Sequence, residues 1–446
     1  MANNGTNNGP SIAILGGGIL GLSAAYCCLK QKLGNVVIYE RDDDLGGLAG
    51  TFEVCGTKLE KYHHFICKSD KVVLNQMADF GLEKLVNWAD CRMGLFVHNK
   101  PYSFTTPADL LHFDALEIIS RLRLGAAMLS LKFKKDWKPL ESVPAAAWLK
   151  KWAGKRSYEV VWSHLMKSKF DIYENKIPLS WLWARTNRRS GSKRRGSSLE
   201  HFGYVKGSFA VLIDEYVKRI RDMGGEILTG CAAKSVSRNK EGQFTVESES
   251  GERMHKAVIS TIPLPSLLSV ATFFTDGYKT RLSNIKYQTV LNMVVVLKRN
   301  LTDFFWLNIG DGTFPFPGII EFSHLRDIED FGGRSILYLP NYLPADHKLN
   351  QLSDDQLLDV YLQSLSKIVP DLEREWVDGA HVFRHPYADP YYTLDYSKLL
   401  PDHRSPYKRL FVFNTAQIYP ITRNVSNSIL FGQNAAALLK QDMGAK

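Results

Sequence analysis

Ser11-Ile12-Ala13-Ile14-Leu15-Gly16-Gly17-Gly18-Ile19-Leu20-Gly21 is the stretch that decides the fold. An apolar run stops abruptly at glycines, which predicts a buried strand followed by a tight turn. Apolar and small residues then dominate from Ile19 to Lys32, as in a helix packed on a sheet. Val36-Val37-Ile38-Tyr39 reads as a second buried strand, closed by Glu40. Strand, turn, helix and strand within about thirty residues make the βαβ unit of a parallel sheet. Gly16-x-Gly18-x-x-Gly21 spans its first turn. Gly16 permits the bend, Gly18 lets backbone approach a diphosphate, and Gly21 lets the helix close on the strand. The N–H groups from Gly17 through Leu20, Ile19 among them, begin the helix and carry its positive end. Glu40, nineteen residues after Gly21 and next to Arg41, is placed to accept hydrogen bonds from a ribose hydroxyl pair. A dinucleotide is therefore the expected ligand.

Glu40-Arg41-Asp42-Asp43-Asp44-Leu45-Gly46-Gly47 sets a glycine pair shortly after the ribose carboxylate, where a second loop can pass close to the diphosphate. From these residues onward the chain resembles the flavin-containing amine oxidase superfamily. That group includes protoporphyrinogen oxidase, phytoene desaturase-like enzymes and, more distantly, UDP-galactopyranose mutase. Gly46-Gly47-Leu48-Ala49-Gly50-Thr51-Phe52 looks like the family's second FAD loop, and Gly203 to Phe209 like the segment that returns the chain to the FAD domain. Ala233 falls where relatives meet adenine, and Thr261-Ile262-Pro263 matches their T-x-P strand end. Asn414-Thr415, with Arg423 and the helix start Val425-Ser426-Asn427, resembles the C-terminal flavin-binding turn.

The resemblance implies FAD as cofactor and hydride removal from a C–N or C–C bond; the basic charge concentrated between Ser130 and Arg195 adds the expectation of an anionic small-molecule or lipid-linked substrate. The chain departs from the family at Leu48, where many relatives have Arg, at Asn414-Thr415, where many have Gly-Asp or Gly-Glu, and at Ser208, which replaces a glycine. No cysteine lies between Asn414 and Gly432, so noncovalent FAD is expected there. No second GxGxxG follows, so a separate nicotinamide domain is not expected.

Tyr62-His63-His64 is the polar cluster placed towards the flavin ring by the resemblance. Either histidine is a candidate acid or base, or a hydrogen-bond partner of the flavin, against the plainer reading of loop histidines satisfied by backbone. Arg423 is the third candidate: a cation facing the diphosphate or reduced flavin, or else a surface ion pair. No ligand spacing accompanies the histidines, and no metal is expected.

The 446 residues suit two or three domains, and 45% hydrophobic against 23% charged is a globular balance. Six cysteines without a C-x-x-C pair support neither a disulfide framework nor a zinc knuckle, and fit a reducing compartment. Residues 1–10 read as a loose tail rather than a signal peptide, and no stretch approaches the ~18 apolar residues of a membrane span. A cytoplasmic protein is expected, with contact to the inner face of a membrane left open. The net charge of +10 is concentrated between Ser130 and Arg195, which holds 17 Lys/Arg against 5 Asp/Glu. There Arg185, Arg188, Arg189, Lys193, Arg194 and Arg195 read as a loop. A solvated loop, a phosphate-bearing substrate and an acidic membrane surface are its three readings. Leu116 to Phe133 is amphipathic enough to lie on lipid, although such stripes are more often core. Nucleic acid is not expected, because no binding module accompanies the charge.

The fold class is thus α/β: a discontinuous Rossmann-type FAD-binding domain with an α+β substrate domain. Its FAD pieces are expected near 11–85, 203–265 and 405–446. The substrate domain takes 86–202, read as mostly helical, and 266–404, read as largely antiparallel sheet. Two other readings stand beside the oxidoreductase: a flavin-dependent nucleotide-sugar mutase, and a non-catalytic FAD-bound binding protein.

Overall fold

The computed structural model describes residues 11–190 and 199–444. The expected tail and Lys193, Arg194 and Arg195 of the basic run lie outside the described residues.

A five-stranded parallel sheet carries the first motif. Its order is Leu410–Val412, Ala257–Ser260, Ser11–Leu15, Asn35–Tyr39 and Glu226–Leu228. The strands read as continuous apolar runs because both faces are covered. Ile12, Ile14, Val36, Ile38 and Ile259 enter one core, shared with helices Ile19–Lys30, Ala210–Asp222 and Val425–Gly444. Their neighbours Ala13, Leu15, Val37, Tyr39 and Val258 enter another, which they share with Val236, Phe244 and Val246 of a three-stranded antiparallel sheet. The long closing helix packs on Ile19–Lys30 at Gly432, where a Cβ would lie 2.5 Å from the Leu20 carbonyl oxygen. The parallel sheet therefore draws strands from near the start, the middle and the end of the chain.

A seven-stranded sheet forms the second layer. It runs Val377–Pro390, Tyr287–Leu297, Ser335–Leu343, Gly318–Glu321, Trp306–Ile309, Met93–Val97 and Lys100–Ser103. All neighbours are antiparallel except Trp306–Ile309 with Met93–Val97. Residues 86–103, expected to be helical, are strands. Val86–Cys91 pairs with Glu200–Val205, and Met93–Val97 turns back into Lys100–Ser103. His98 and Asn99 between them have φ of 52° and 57°, the positive pair that a two-residue hairpin turn requires. The missed signal is that turn, set after the aromatic and β-branched residues of Val86–Val97. Helices do fill the insertion from Pro107 to Ser190.

Candidate functional site

One cleft of about 520 Å³ runs between the two sheets. Gly16, Gly18, Ile19, Leu20, Glu40, Arg41, Gly46, Gly47, Leu48, Ala233 and Thr261 border one end. His63, His64, Thr415, Arg423 and Val425 border its middle, where His385 also feels the charges of Arg41 and Arg423, and Arg185, Arg188, Arg189, Trp306 and Tyr342 border the other end.

At the first end two glycine turns bring main chain to the cleft. Gly16 has φ +103°, and a Cβ there would lie 2.7 Å from Thr261 Oγ1, which donates to the Leu15 carbonyl at 2.8 Å. At Gly21 a Cβ would come within 1.9 Å of the Gly16 carbonyl oxygen, so this glycine lets the helix meet the strand. Gly18 differs. Its φ is an ordinary −68°, and a Cβ would find no protein atom nearer than 3.8 Å. Nothing inside the protein requires glycine at 18; what its absent side chain leaves open is the cleft. No side chain caps helix Ile19–Lys30 and its first turn holds no acid, so the amides that begin it have no partner within the helix. The second glycine turn lies on the first. Gly46 N–H donates to Gly17 O at 2.9 Å, and a Cβ on Gly47, itself at φ +57°, would sit 3.2 Å from Gly18 Cα. A flavin dinucleotide's diphosphate fits this cradle of amides and missing side chains.

Glu40 does more than close the strand. Its carboxylate accepts the Gly17 amide at 2.6 Å and the Asp42 amide at 2.9 Å, locking the turn, with each oxygen keeping a lone pair for a hydroxyl. Burial raises its pKa, and the two amides pull it back. Arg41 is exposed and pairs with Asp42 at 3.1 Å. Two side-chain atoms of the C-terminal turn and one of its amides bond within the protein. Ser426 Oγ is buried and accepts from the Val73 amide at 3.2 Å. The Asn427 amide is capped by Asn424 Oδ1 at 2.8 Å. Asn414 Oδ1 accepts from the Ala416 amide at 2.9 Å, while its buried Nδ2 has no protein partner. Of that segment Thr415, Arg423 and Val425 border the cleft, joined by Asn424 and Ser428.

His63 is enclosed by the rings of Phe65, Phe305, Trp306, Phe322 and Tyr338, and its buried Nε2 has no partner. Burial lowers its pKa to about 3. His64 Nδ1 lies 2.6 Å from the Tyr62 carbonyl, so the proton is assigned to Nδ1 and Nε2 is the acceptor. Burial brings it to about 4, with the Tyr62 carbonyl opposing and Arg423 and Arg188 adding to the fall. Both histidines are neutral at pH 7. Neither can act there as a charged acid; each can present a hydrogen bond.

The cationic end corrects the reading of a basic loop. Arg185, Arg188 and Arg189 lie on helix Leu179–Ser190 and turn into the cleft. The Gly and Ser that suggested a loop begin only after Arg189, and the arginines continue the face of Trp181 at helical spacing. Arg185 stacks on Trp181 at 4.9 Å and forms no ion pair with a described carboxylate. Desolvation, with Arg189 adding to it, lowers its pKa to about 10, so it stays charged at neutral pH. Arg188 is held by Asp70 at 2.9 Å. Arg423 leans on Asp389 at 3.9 Å and keeps Nη1 buried without a partner. Asp389 is in turn bonded by Lys169 at 3.1 Å and by Tyr392 Oη at 3.3 Å. Sequence reasoning missed Lys169, Asp389, Trp306, Tyr342 and His385, which come from distant pieces with no shared motif. No group of three or more His, Cys, Asp or Glu able to hold a metal occurs among the described residues.

The same arrangement recurs in solved structures. A protein from Exiguobacterium sp. 255-15, assigned provisionally as a protoporphyrinogen oxidase, superposes with a TM-score of 0.77 at 14% identity, over 97% of this chain and 99% of that one. Reduced UDP-galactopyranose mutase superposes with 0.73 at 15% identity, over 98% and 96%. Cyclohexylamine oxidase from Brevibacterium oxydans IH-35A gives 0.68 at 12%, over 98% and 99%. At such identities these are likenesses of fold. No curated protein matches the sequence. The family described as flavin containing amine oxidoreductase matches residues 21–439, from the last glycine of the first turn into the closing helix. The chain therefore belongs to the flavin-containing amine oxidoreductase family and is a flavin-dependent oxidoreductase.

Proposed function

We propose that the flavin is FAD, held noncovalently along the whole cleft, and that the substrate is an anion drawn to its arginine end. The observation that carries the first part is Gly18: a glycine that the protein's own packing does not need, at an uncapped helix start. The amides from Gly18 to Leu20 bind the diphosphate, Glu40 takes the adenosine ribose, and Ala233 with Thr261 borders the adenine side. Six free cysteines, none between Asn414 and Gly432, leave that flavin-binding turn without a thiol for attachment. When bound, the flavin supplies a two-electron acceptor for hydride from a C–N or C–C bond.

The residues of the chain hold and orient. Arg423, fixed by Asp389, offers Nη1 to the flavin's electron-rich edge or to substrate. His64 offers an acceptor nitrogen. Arg185 supplies an unpaired cation that an anionic group neutralises, with Trp306 and Tyr342 excluding water beside it. The mutase reading keeps one argument. Its substrate bears a diphosphate, for which a set of arginines is suited, and the likeness to UDP-galactopyranose mutase extends over nearly the whole chain.

Purification with added FAD, followed by acid release of the chromophore, tests the cofactor: a yellow protein that releases all its flavin as FAD is expected. A colourless protein whose melting temperature FAD leaves unchanged would overturn the reading. Photoreduction followed by air or by nucleotide sugars then separates the chemistries. Turnover of a nucleotide sugar only while reduced would establish the mutase.

A further inference from the structure

We propose that the solvent face of helix Ile118–Lys132 is a docking surface for an anionic lipid bilayer. This helix carries two apolar stripes. Leu124, Ala127 and Leu131 are buried and pack it onto helix Leu179–Ser190 and its neighbours. On the opposite side Ile118, Ile119, Leu122, Leu129 and the following Phe133 are between 53% and 75% exposed. At about 100° per residue these five fall within roughly a 100° arc, facing away from the buried three. Single exposed apolar residues are ordinary, but clustering is not. Of the twelve large hydrophobic residues exposed among the described residues, six lie between Leu111 and Phe133.

The stripe is edged with positive charge. Arg123 lies on one side of it and Arg121 and Lys132 on the other, with Lys134 and Lys135 just beyond the helix end. Arg121 donates to the Leu116 carbonyl at 2.7 Å and Arg123 to the Lys151 carbonyl at 3.1 Å, so both are held in place by neutral partners. None of these five forms an ion pair with a described carboxylate, whereas the nearby Asp114 is taken by Lys100 at 3.6 Å. Arg123 also ties in the end of helix Ala145–Trp152, whose Trp152 is 55% exposed and of the type that settles at a membrane–water boundary.

Charge selects the occupant. A second copy meeting this face through a twofold axis would set the arginines and lysines against their own equivalents. A bilayer rich in acidic headgroups receives the apolar stripe among its acyl chains and the basic flanks among its phosphates. The buried side of the same helix rests on the helix that supplies Arg185, Arg188 and Arg189, and Trp183 Nε1 of that helix donates to the Lys134 carbonyl at 2.7 Å. The cationic end of the cleft is thus one helix layer from the bilayer. The docking itself is independent of which reaction the cleft performs.

Sedimentation of the flavin-loaded protein with phosphatidylcholine vesicles, and with vesicles containing about a third phosphatidylglycerol, tests this. Binding to the acidic vesicles only, released by salt, is expected. The double variant Ile119→Asp/Phe133→Asp should lose about tenfold or more in partitioning while its flavin spectrum and melting temperature stay unchanged. Lys132→Glu/Lys135→Glu should weaken binding and flatten the salt dependence. Wild-type protein that ignores acidic vesicles, or that binds them as well as the double variant does, overturns the proposal. A dimer that the double variant splits, in protein that does not bind vesicles, overturns it in favour of a second copy.

Discussion

The two ends of the cleft are built from opposite materials. Around Gly16, Gly18, Gly46 and Gly47 the glycine turns present main chain, closed by Glu40 bonding to the amides of Gly17 and Asp42. Towards the arginine end the walls are long charged side chains, Arg185, Arg188 and Arg189 from one piece of sequence and Arg423 from another, with Arg188 held by Asp70 and Arg423 by Asp389 behind the wall. A site made of backbone tolerates no added atoms, because neither a carbonyl nor a Cα can swing aside. A site made of side chains tolerates changes of shape, but not a charge left without its partner. The two ends should therefore fail in different ways.

The largest effect is expected at Gly21. With a Cβ 1.9 Å from the Gly16 carbonyl oxygen, Gly21→Ala forces helix and strand apart and should cost more than about 4 kcal/mol, leaving no soluble folded protein. Gly18→Ala is its control, three residues away in the same motif. The nearest protein atom stands at 3.8 Å, so melting of the flavin-free protein should change by less than about 0.5 kcal/mol while flavin affinity falls about a hundredfold. Equal loss of stability in both variants would show that this end is a packing motif rather than a ligand cradle.

At the other end the contrast lies between a buried cation, Lys169, and a half-buried one, Arg185. Lys169 and Asp389 are 7% and 8% exposed and 3.1 Å apart. Lys169→Met leaves Asp389 with only Arg423 and Tyr392, and should destabilise by about 3 kcal/mol in thermal or urea unfolding. Arg185→Met removes a desolvated cation that forms no ion pair with a described carboxylate, so stability should hold or rise slightly. The Michaelis constant for an anionic substrate should then rise about tenfold to a hundredfold. A destabilised Arg185→Met protein with unchanged kinetics would make Arg185 a structural residue.

The same difference in material explains what could be read beforehand. A backbone site must be encoded locally, by glycines at fixed offsets from a strand and an acid, and Gly16 through Glu40 is such a code. The arginine end has no code of that kind. Arg185 was visible as charge, yet its helix was read as a loop because Ser and Gly follow Arg189. Lys169 and Asp389, 220 positions apart, meet only through the tertiary fold. His63 and His64 were legible as a cluster but not as neutral groups, since the rings around His63 include Trp306 and Tyr338 on the second sheet and Phe305 and Phe322 at the ends of its strands. The strands of residues 86–103 were missed for a smaller reason, a His98-Asn99 turn without glycine.

The smallest effect is expected at Ser208, where a side-chain bond opposes a backbone strain. It follows Gly207 at the return of the chain to the parallel sheet, is 2% exposed, and has φ +65°. A residue with a Cβ is strained in that region by about 1 kcal/mol or more, while glycine is not. In exchange Ser208 Oγ accepts the Ala210 amide at 3.2 Å, at the start of helix Ala210–Asp222. Ser208→Gly relieves the strain but gives up that bond and frees the unfolded chain, for a net gain of about 0.5 kcal/mol, or a rise in melting temperature of about 0.5 °C. Ser208→Ala keeps the strain and loses the bond, for a loss of about 0.5–1 kcal/mol. The order Gly above Ser above Ala, measured by thermal melting, marks Ser208 as a strained position whose hydroxyl offsets only part of its conformational penalty. Ser above Gly would mean that the bond to Ala210 outweighs the backbone strain.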